Sequence, residues 1–188
     1  MNWPTPRLSP PDPASYDAAQ QSIHTAIAGG PRGGVRGPLA IWLHRPDLAD
    51  TAQALGRYCR YDTSLGPRLS ELAILVTARM FGSEYEWFAH KPHALSAGLP
   101  DATVEAIRLN QTPVFETEED QIVHDVTRAA HADRTLDDAL YARAEQVLGV
   151  DRLVDLIGLL GYYTLISLTI NVFGVTPPDG AKPELADV

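Results

Sequence analysis

The sequence predicts an all-α protein folded as one helical domain, and three observations carry that prediction. Apolar residues recur at three- and four-residue spacing in segment after segment. The breakers Gly and Pro fall at intervals suited to helices, and no stretch strings together alternating β-branched strands. A chain of 188 residues fits one domain and can bury a sizeable core. No internal repeat and no long linker divides it, so it reads as a proline-rich arm over 1–13, one helical domain over 14–176 and a tail over 177–188.

The arm carries Pro4, Pro6, Pro10, Pro11 and Pro13 without the basic-then-apolar order of a secretory signal. Ala14 to Ala28 reads as a helix, broken by Gly29, Gly30, Pro31, Arg32, Gly33 and Gly34. That run lacks the spacing of a P-loop or dinucleotide fingerprint, and no strand precedes it, so it reads as a connection. Pro38 to His44 forms a short helix or turn. Pro46 to Tyr61 is helical, with Leu48, Ala52, Leu55 and Cys59 on one stripe, which makes Cys59 a small core residue. Arg68 to Phe81 is apolar on nearly every face and must be mostly buried. Gly82 supplies the positive φ that ends it, and Ser83 opens the next helix at once.

Pro100 opens a helix through Leu109. Thr117 caps another to about Ala132, with Glu118, Glu119 and Asp120 favourably placed in its first turn. Leu136 to Leu148 follows, ended by Gly149, and then Arg152 to Phe173. The apolar stretch Leu153 to Val175 is close to the length of a bilayer helix. It carries Asp155, Gly158, Gly161, Thr164, Ser167, Thr169 and Asn171 and lacks flanking basic clusters, so it reads as a buried central helix and no membrane association is expected. The tail after Pro177, with Pro178, Gly180 and Pro183, is either an extended strap or disordered.

With 24 acidic and 15 basic side chains the formal net charge is −9, which opposes binding to nucleic acid. The single cysteine excludes an intramolecular disulfide and a four-cysteine zinc site, and it suits a reducing, cytoplasmic setting.

Function concentrates in Arg68 to His90. Glu86 and His90 are four residues apart on one helical face, within reach of a shared proton, and Glu71 on the preceding helix can face the same corner. These three are the candidate catalytic residues. Ser83, Tyr85 and Trp87 are the candidate substrate contacts. A histidine beside a carboxylate can titrate near neutral pH, as acid–base catalysis requires. Two roles are open to Glu86, because Ser83 followed three residues later by Glu86 is also a capping box. Glu71 needs a partner if it stays charged in an apolar helix, and Arg68 or Arg79 can supply one. Glu86, His90 and His93 hint at a metal, but Pro92 interrupts the segment and no recognised zinc spacing is present, so neither metal nor cofactor is expected.

The run Arg68, Leu69, Glu71, Leu72, Ala73, Ile74, Leu75, then Gly82 to Trp87 and His90, resembles the signature region of the carboxymuconolactone decarboxylase superfamily, which includes the alkylhydroperoxidase D proteins. Further similarity runs through Leu48 to Leu65, Gly161 to Tyr163 and Asn171 to Val175, covering roughly 40 to 176. The thiol peroxidases of that family carry Glu, then Cys-x-x-Cys, then His. Glu71 and His90 match the outer positions, while Ser83 and Glu86 stand where the cysteines would be.

The resemblance implies an alkylhydroperoxidase D-like helical bundle, a homo-oligomer (trimer, hexamer or dimer) and a small-molecule substrate. The expected activity is decarboxylation or isomerisation of an activated carbonyl or lactone compound by cofactor-free acid–base chemistry. A family peroxidase activity is disfavoured by the missing thiol pair. A scaffold that has lost catalysis is the remaining alternative. A closed cavity reaching Glu71, Glu86 and His90 favours the enzyme, and a fully packed corner favours the scaffold.

Overall fold

A computed structural model describes residues 3, 5–177 and 181–185, and those residues contain eight α-helices and no strand. Met1, Asn2, Pro4, Pro178 to Gly180 and Ala186 to Val188 lie outside the described residues, and with them the corresponding ends of the expected arm and tail. Helix α1 (Ala18–Ala28) starts on a capping box: Gln20 N–H donates to Asp17 Oδ1 at 2.8 Å and Asp17 N–H to Gln20 Oε1 at 2.9 Å. Short α2 (Pro38–Trp42) and α3 (Pro46–Arg57) follow the glycine-rich loop.

The buried face of α3 is Ala49, Ala52 and Gly56, continued by Cys59 in the next turn. Leu48 and Leu55 are about half exposed in the single chain, at 47% and 48%, which corrects the expected stripe. At Gly56 the reason is steric: the Tyr162 side chain reaches α3 so closely that a Cβ there would lie 2.1 Å from Tyr162 Oη. The expected continuous helix to Tyr61 also gives way to one π-helical turn, Tyr58–Asp62. Asp155 pins this turn by accepting from Tyr58 Oη at 2.6 Å and from the backbone N and Oγ of Ser64 at 2.7 Å each.

Helix α4 (Gly66–Phe81) is the core element, buried continuously from Leu69 to Ala78 and packed on α5, α7 and α8. Its end is a Schellman motif. Gly82 is left-handed (φ 59, ψ 34), its N–H donates to Arg79 O at 3.2 Å, and Ser83 N–H donates to Ala78 O at 2.8 Å. The chain therefore turns straight into α5 (Glu84–Ser96). This helix runs on through Pro92 instead of ending there. Asn171 Nδ2 adds a bond of 2.7 Å to the Phe81 carbonyl, closing the end of α4 from the α8 side.

Helices α6 (Asp101–Arg108) and α7 (Glu118–Ala132) both pack on α4, with Thr117 Oγ1 accepting from Asp120 N at 3.1 Å as expected. Helix α8 (Asp138–Phe173) is broken at Gly149 (φ 76, ψ 165), so it comprises two arms as the sequence predicts, 138–148 and 150–173. Taken as a whole, Asp138–Phe173 is long and apolar enough to cross a membrane by length and composition, and about half of its most apolar window is buried. One side of the second arm packs Leu153, Leu156, Leu159, Leu160, Tyr163 and Ile166 into the common core.

Both chain ends close over this bundle. Arg7 N–H donates to Phe173 O at 2.9 Å, and His44 Nε2 lies 2.8 Å from Ser9 O. In the strap 181–185, Leu185 is buried, and the backbone N–H groups of Glu184 and Leu185 both donate to Glu84 at 2.9 Å.

Candidate active site

The Schellman turn after α4 sets Glu71 opposite the second turn of α5. Glu71 Oε2 lies 2.7 Å from His90 Nδ1, with both side chains 8% exposed. The acid–base pair expected between Glu86 and His90 thus forms between Glu71 and His90. A carboxylate on Nδ1 holds the proton there, leaving Nε2 as the free basic nitrogen. Arg60, carried by the π-helical turn, stands 4.0 Å from Glu71 Oε1. The arginines suggested by the sequence do not serve: Arg68 is paired with Asp120 at 2.6 Å, and the buried Nε of Arg79 bonds nothing among the described residues.

Burial works against charge on Glu71, but the hydrogen bond from His90 and the nearby Arg60 guanidinium hold its pKa below the usual carboxylate range. Burial pushes His90 below its ordinary 6.5 and outweighs the support of Glu71. At pH 7 the pair is therefore an ionised carboxylate holding a neutral imidazole, the state a general base requires.

Glu86, one turn before His90, is 1% exposed. It does not cap α5. The Ser83 hydroxyl makes no capping bond, and Glu86 Oε2 instead accepts from Ser167 Oγ on α8. Desolvation pushes the Glu86 pKa up to about 8, against the lowering influence of Ser167 and the nearby Ser83 hydroxyl. It is a neutral carboxylic acid at pH 7. Its second oxygen, Oε1, is buried with no hydrogen-bond partner among the described residues.

Glu86 and His90 form part of the wall of a cavity of about 320 Å³ between α5, α8 and the glycine-rich loop. Tyr85, Phe88, Tyr162, Tyr163, Ile166 and Ile170 supply its apolar side, and Arg32, Arg36 and Arg60 its basic side. The His90 ring packs edge-on against Tyr163 with centroids 5.2 Å apart, and Tyr163 packs likewise on Tyr162 at 5.3 Å. Burial raises the Tyr162 pKa to about 12 and Tyr163 well above its ordinary value, so neither is a base. Glu71 stands behind His90 and outside the cavity lining.

Of the expected substrate contacts only Tyr85 lines the cavity. Trp87 is 1% exposed in the core and donates through Nε1 to Glu184 Oε2 at 3.2 Å, and Ser83 is fully buried at the helix junction. Sequence reasoning missed Arg60, Ser167 and the two loop arginines as site residues. Each lies outside the Arg68 to His90 segment, and only the concentration of Arg32 and Arg36 in a loop after a helix gave any signal.

Gly56 limits the cavity from below. An added Cβ would overlap Tyr162 Oη at 2.1 Å and Arg32 Nη2 at 2.6 Å. Gly56→Ala is expected to displace both side chains and to cost about 1–3 kcal/mol as an overpacked contact. Urea denaturation checks this; unchanged stability would show that α3 has room to move.

No protein-family model matches the sequence, and no curated protein matches it. Solved structures do match. The alkylhydroperoxidase AhpD core of an uncharacterised peroxidase-related protein from Ralstonia eutropha JMP134 is 16% identical, with 94% of each chain covered and a TM-score of 0.75. An uncharacterised peroxidase-related protein from Silicibacter sp. TM1040 is 12% identical over 96% of this chain and 94% of its own, with a TM-score of 0.74. A protein of unknown function from Agrobacterium tumefaciens, also related to AhpD, is 17% identical over 76% of this chain and 99% of its own, with a TM-score of 0.63.

Proposed function

We propose that this chain, an alkylhydroperoxidase D-like helical bundle without the thiol pair, is a cofactor-free enzyme that moves protons on a small carbonyl or lactone substrate. The observation that carries the reading is the buried Glu71–His90 pair backing a cavity beside a neutral Glu86. His90 Nε2 takes a proton from a carbon next to the substrate carbonyl, and the ionised Glu71 stabilises the imidazolium that forms. The Glu86 carboxylic acid donates to the developing enolate oxygen, where a charge would otherwise face a dry wall.

Return of the proton to a different carbon isomerises the substrate. Where CO₂ departs instead, its bonding electrons stay on carbon as the enolate. In that reaction His90 enters protonated and supplies the proton that completes the product. Exchange of solvent deuterium into small keto acids and lactones, followed by proton NMR, tests the reading, with His90→Gln as the decisive variant.

The names of the structural neighbours favour a peroxidase, but the chemistry of this chain does not. Its single cysteine, Cys59, is 1% exposed with a thiol pKa raised by burial to about 11, and it has no second thiol to exchange with. A non-catalytic scaffold fits less well, because an open cavity rather than packed side chains meets Glu86 and His90, although that cavity does not reach Glu71.

We also propose a homo-oligomer built through α8. Val150, Val154, Ile157, Leu165, Leu168 and Val172 are all exposed at helical spacing on its second arm. Gly158 and Gly161 stand among them with nothing within 4 Å of a built Cβ. A second copy of the same helix fits this stripe, since small residues permit close axes and the face is apolar enough to pack on itself. Light scattering should give at least twice the 20.5 kDa of one chain. Ile157→Glu should shift the mass to that of the monomer, and a wild-type chain that is already monomeric when dilute overturns the proposal.

A further inference from the structure

The loop after α1, which reads in the sequence as a connection, delivers Arg32 and Arg36 to the wall of the cavity, and the π-helical turn delivers Arg60. Three guanidinium groups thus share one small concave surface in a chain of net charge −9. Their charge is poorly answered by the protein. Arg36 makes no hydrogen bond or ion pair among the described residues. Arg32 Nη2 is buried with no carboxylate partner and only the Tyr162 hydroxyl close by, and Arg60 stacks on the Tyr61 ring at 5.2 Å and makes a single 4.0 Å approach to Glu71, which is already engaged by His90. The one carboxyl group lining the cavity is Glu86, neutral at pH 7.

Two more buried polar atoms at the same wall, Tyr162 Oη and Glu86 Oε1, lack a well-formed hydrogen bond, with only Arg32 and the Ser83 hydroxyl respectively close by. Buried polar groups are normally satisfied, and a cluster of exceptions around a cavity calls for a ligand that satisfies them. The rest of the lining includes aromatic and aliphatic side chains, among them Tyr85, Phe88, Ile166 and Ile170.

We infer that the substrate of this site is a small organic carboxylate, its acid group held by Arg32, Arg36 and Arg60 and its apolar body laid on Tyr85, Phe88 and Ile166. This rests on the reading of the cavity as the substrate site. A guanidinium presents planar paired donors that match a carboxylate. A volume of about 320 Å³ suits a compact acid, and inorganic phosphate would leave the apolar wall unfilled. Carboxylate binding also sets the conditions for His90. An anion at the arginines puts the carbon next to its acid group inside the cavity that His90 lines, and it offsets the positive charge that forms when His90 takes a proton.

Isothermal titration with benzoate, benzamide and inorganic phosphate, on the wild-type protein and on Arg32→Gln, Arg36→Gln and the double variant, tests this. Benzoate should bind, benzamide at least about tenfold more weakly. Each single variant should lose about tenfold in benzoate affinity and the double variant about a hundredfold, as expected for hydrogen bonds to an ionised group. Arg36 is exposed, so Arg36→Gln folds whatever becomes of Arg32→Gln. Equal affinity for benzoate and benzamide, tighter binding of phosphate than of benzoate, no benzoate binding, or a double variant that binds benzoate normally would each overturn the assignment. Binding is read here without turnover. A protein that prefers benzoate but exchanges no deuterium refutes the proton-transfer reading alone, and one that exchanges deuterium without preferring carboxylates refutes this inference alone.

Discussion

His90→Gln is expected to lower the rate of proton exchange by about 10²–10⁴, the range a positioned general base contributes, while circular dichroism and the melting profile show a folded protein. Glutamine is polar and of similar reach, but it cannot accept a proton near neutral pH. Glu71 keeps Arg60 as a neighbour in the variant, so its charge is not left wholly unanswered. Glu71→Gln separates orientation from charge. It keeps a polar partner at the 2.7 Å position beside His90 Nδ1 but removes the carboxylate that raises the histidine's pKa. Its plateau rate should fall.

The pH at which activity appears should move as well. Proton exchange requires neutral His90, so its rate rises with pH through a pKa already held below 6.5, and loss of Glu71 moves that rise to still lower pH. A His90→Gln protein with wild-type exchange rates would remove His90 from the reaction altogether.

Much of the architecture is legible in the sequence because its causes are local. Gly82 after an apolar run gives the Schellman turn, Thr117 before three acidic residues gives the start of α7, and Gly149 divides the last helix as expected. Placing Glu71 and His90 at one corner follows from that turn alone. What the sequence misplaces depends on neighbours far along the chain. Ser83 and Glu86 have the spacing of a capping box, yet Ser167, 81 residues away, takes the carboxylate and leaves the cap unmade. Tyr61 sits in a helical pattern, yet Asp155 draws Tyr58 and Ser64 together into a π-helical turn and so aims Arg60 at the site. Leu48 and Leu55 follow a helical stripe, yet the buried face of α3 is Ala49, Ala52 and Gly56, where the Tyr162 side chain leaves no room for a Cβ at Gly56. In each case a tertiary contact overrides a local rule, and in the first two the override builds the site.

Glu86→Gln is expected to make the protein more stable at alkaline pH and to abolish the fall of activity above neutrality. In the folded chain Glu86 holds its proton up to about pH 8, whereas the same group ordinarily titrates near 4.5. Across that window the native state binds a proton that the unfolded state has released, so this residue's contribution to stability declines as pH rises, by about 1.4 kcal/mol per pH unit. Between pH 5 and 8 the loss is on the order of 4 kcal/mol. Glutamine does not titrate. Its amide oxygen can accept from Ser167 as the carboxyl oxygen does, and its amide N–H can occupy the place of the acid proton.

Wild type and variant should therefore differ little near pH 5 and diverge steadily towards pH 8, where the variant should melt on the order of 10 °C higher. The rate profile reads the same proton. Wild-type activity should decline through about pH 8 as Glu86 ionises and can no longer donate to the enolate oxygen, and the variant, which still donates, should keep its plateau. Parallel stability curves for the two proteins would mean that Glu86 is already charged in the fold, and its place as the acid beside His90 would then fall.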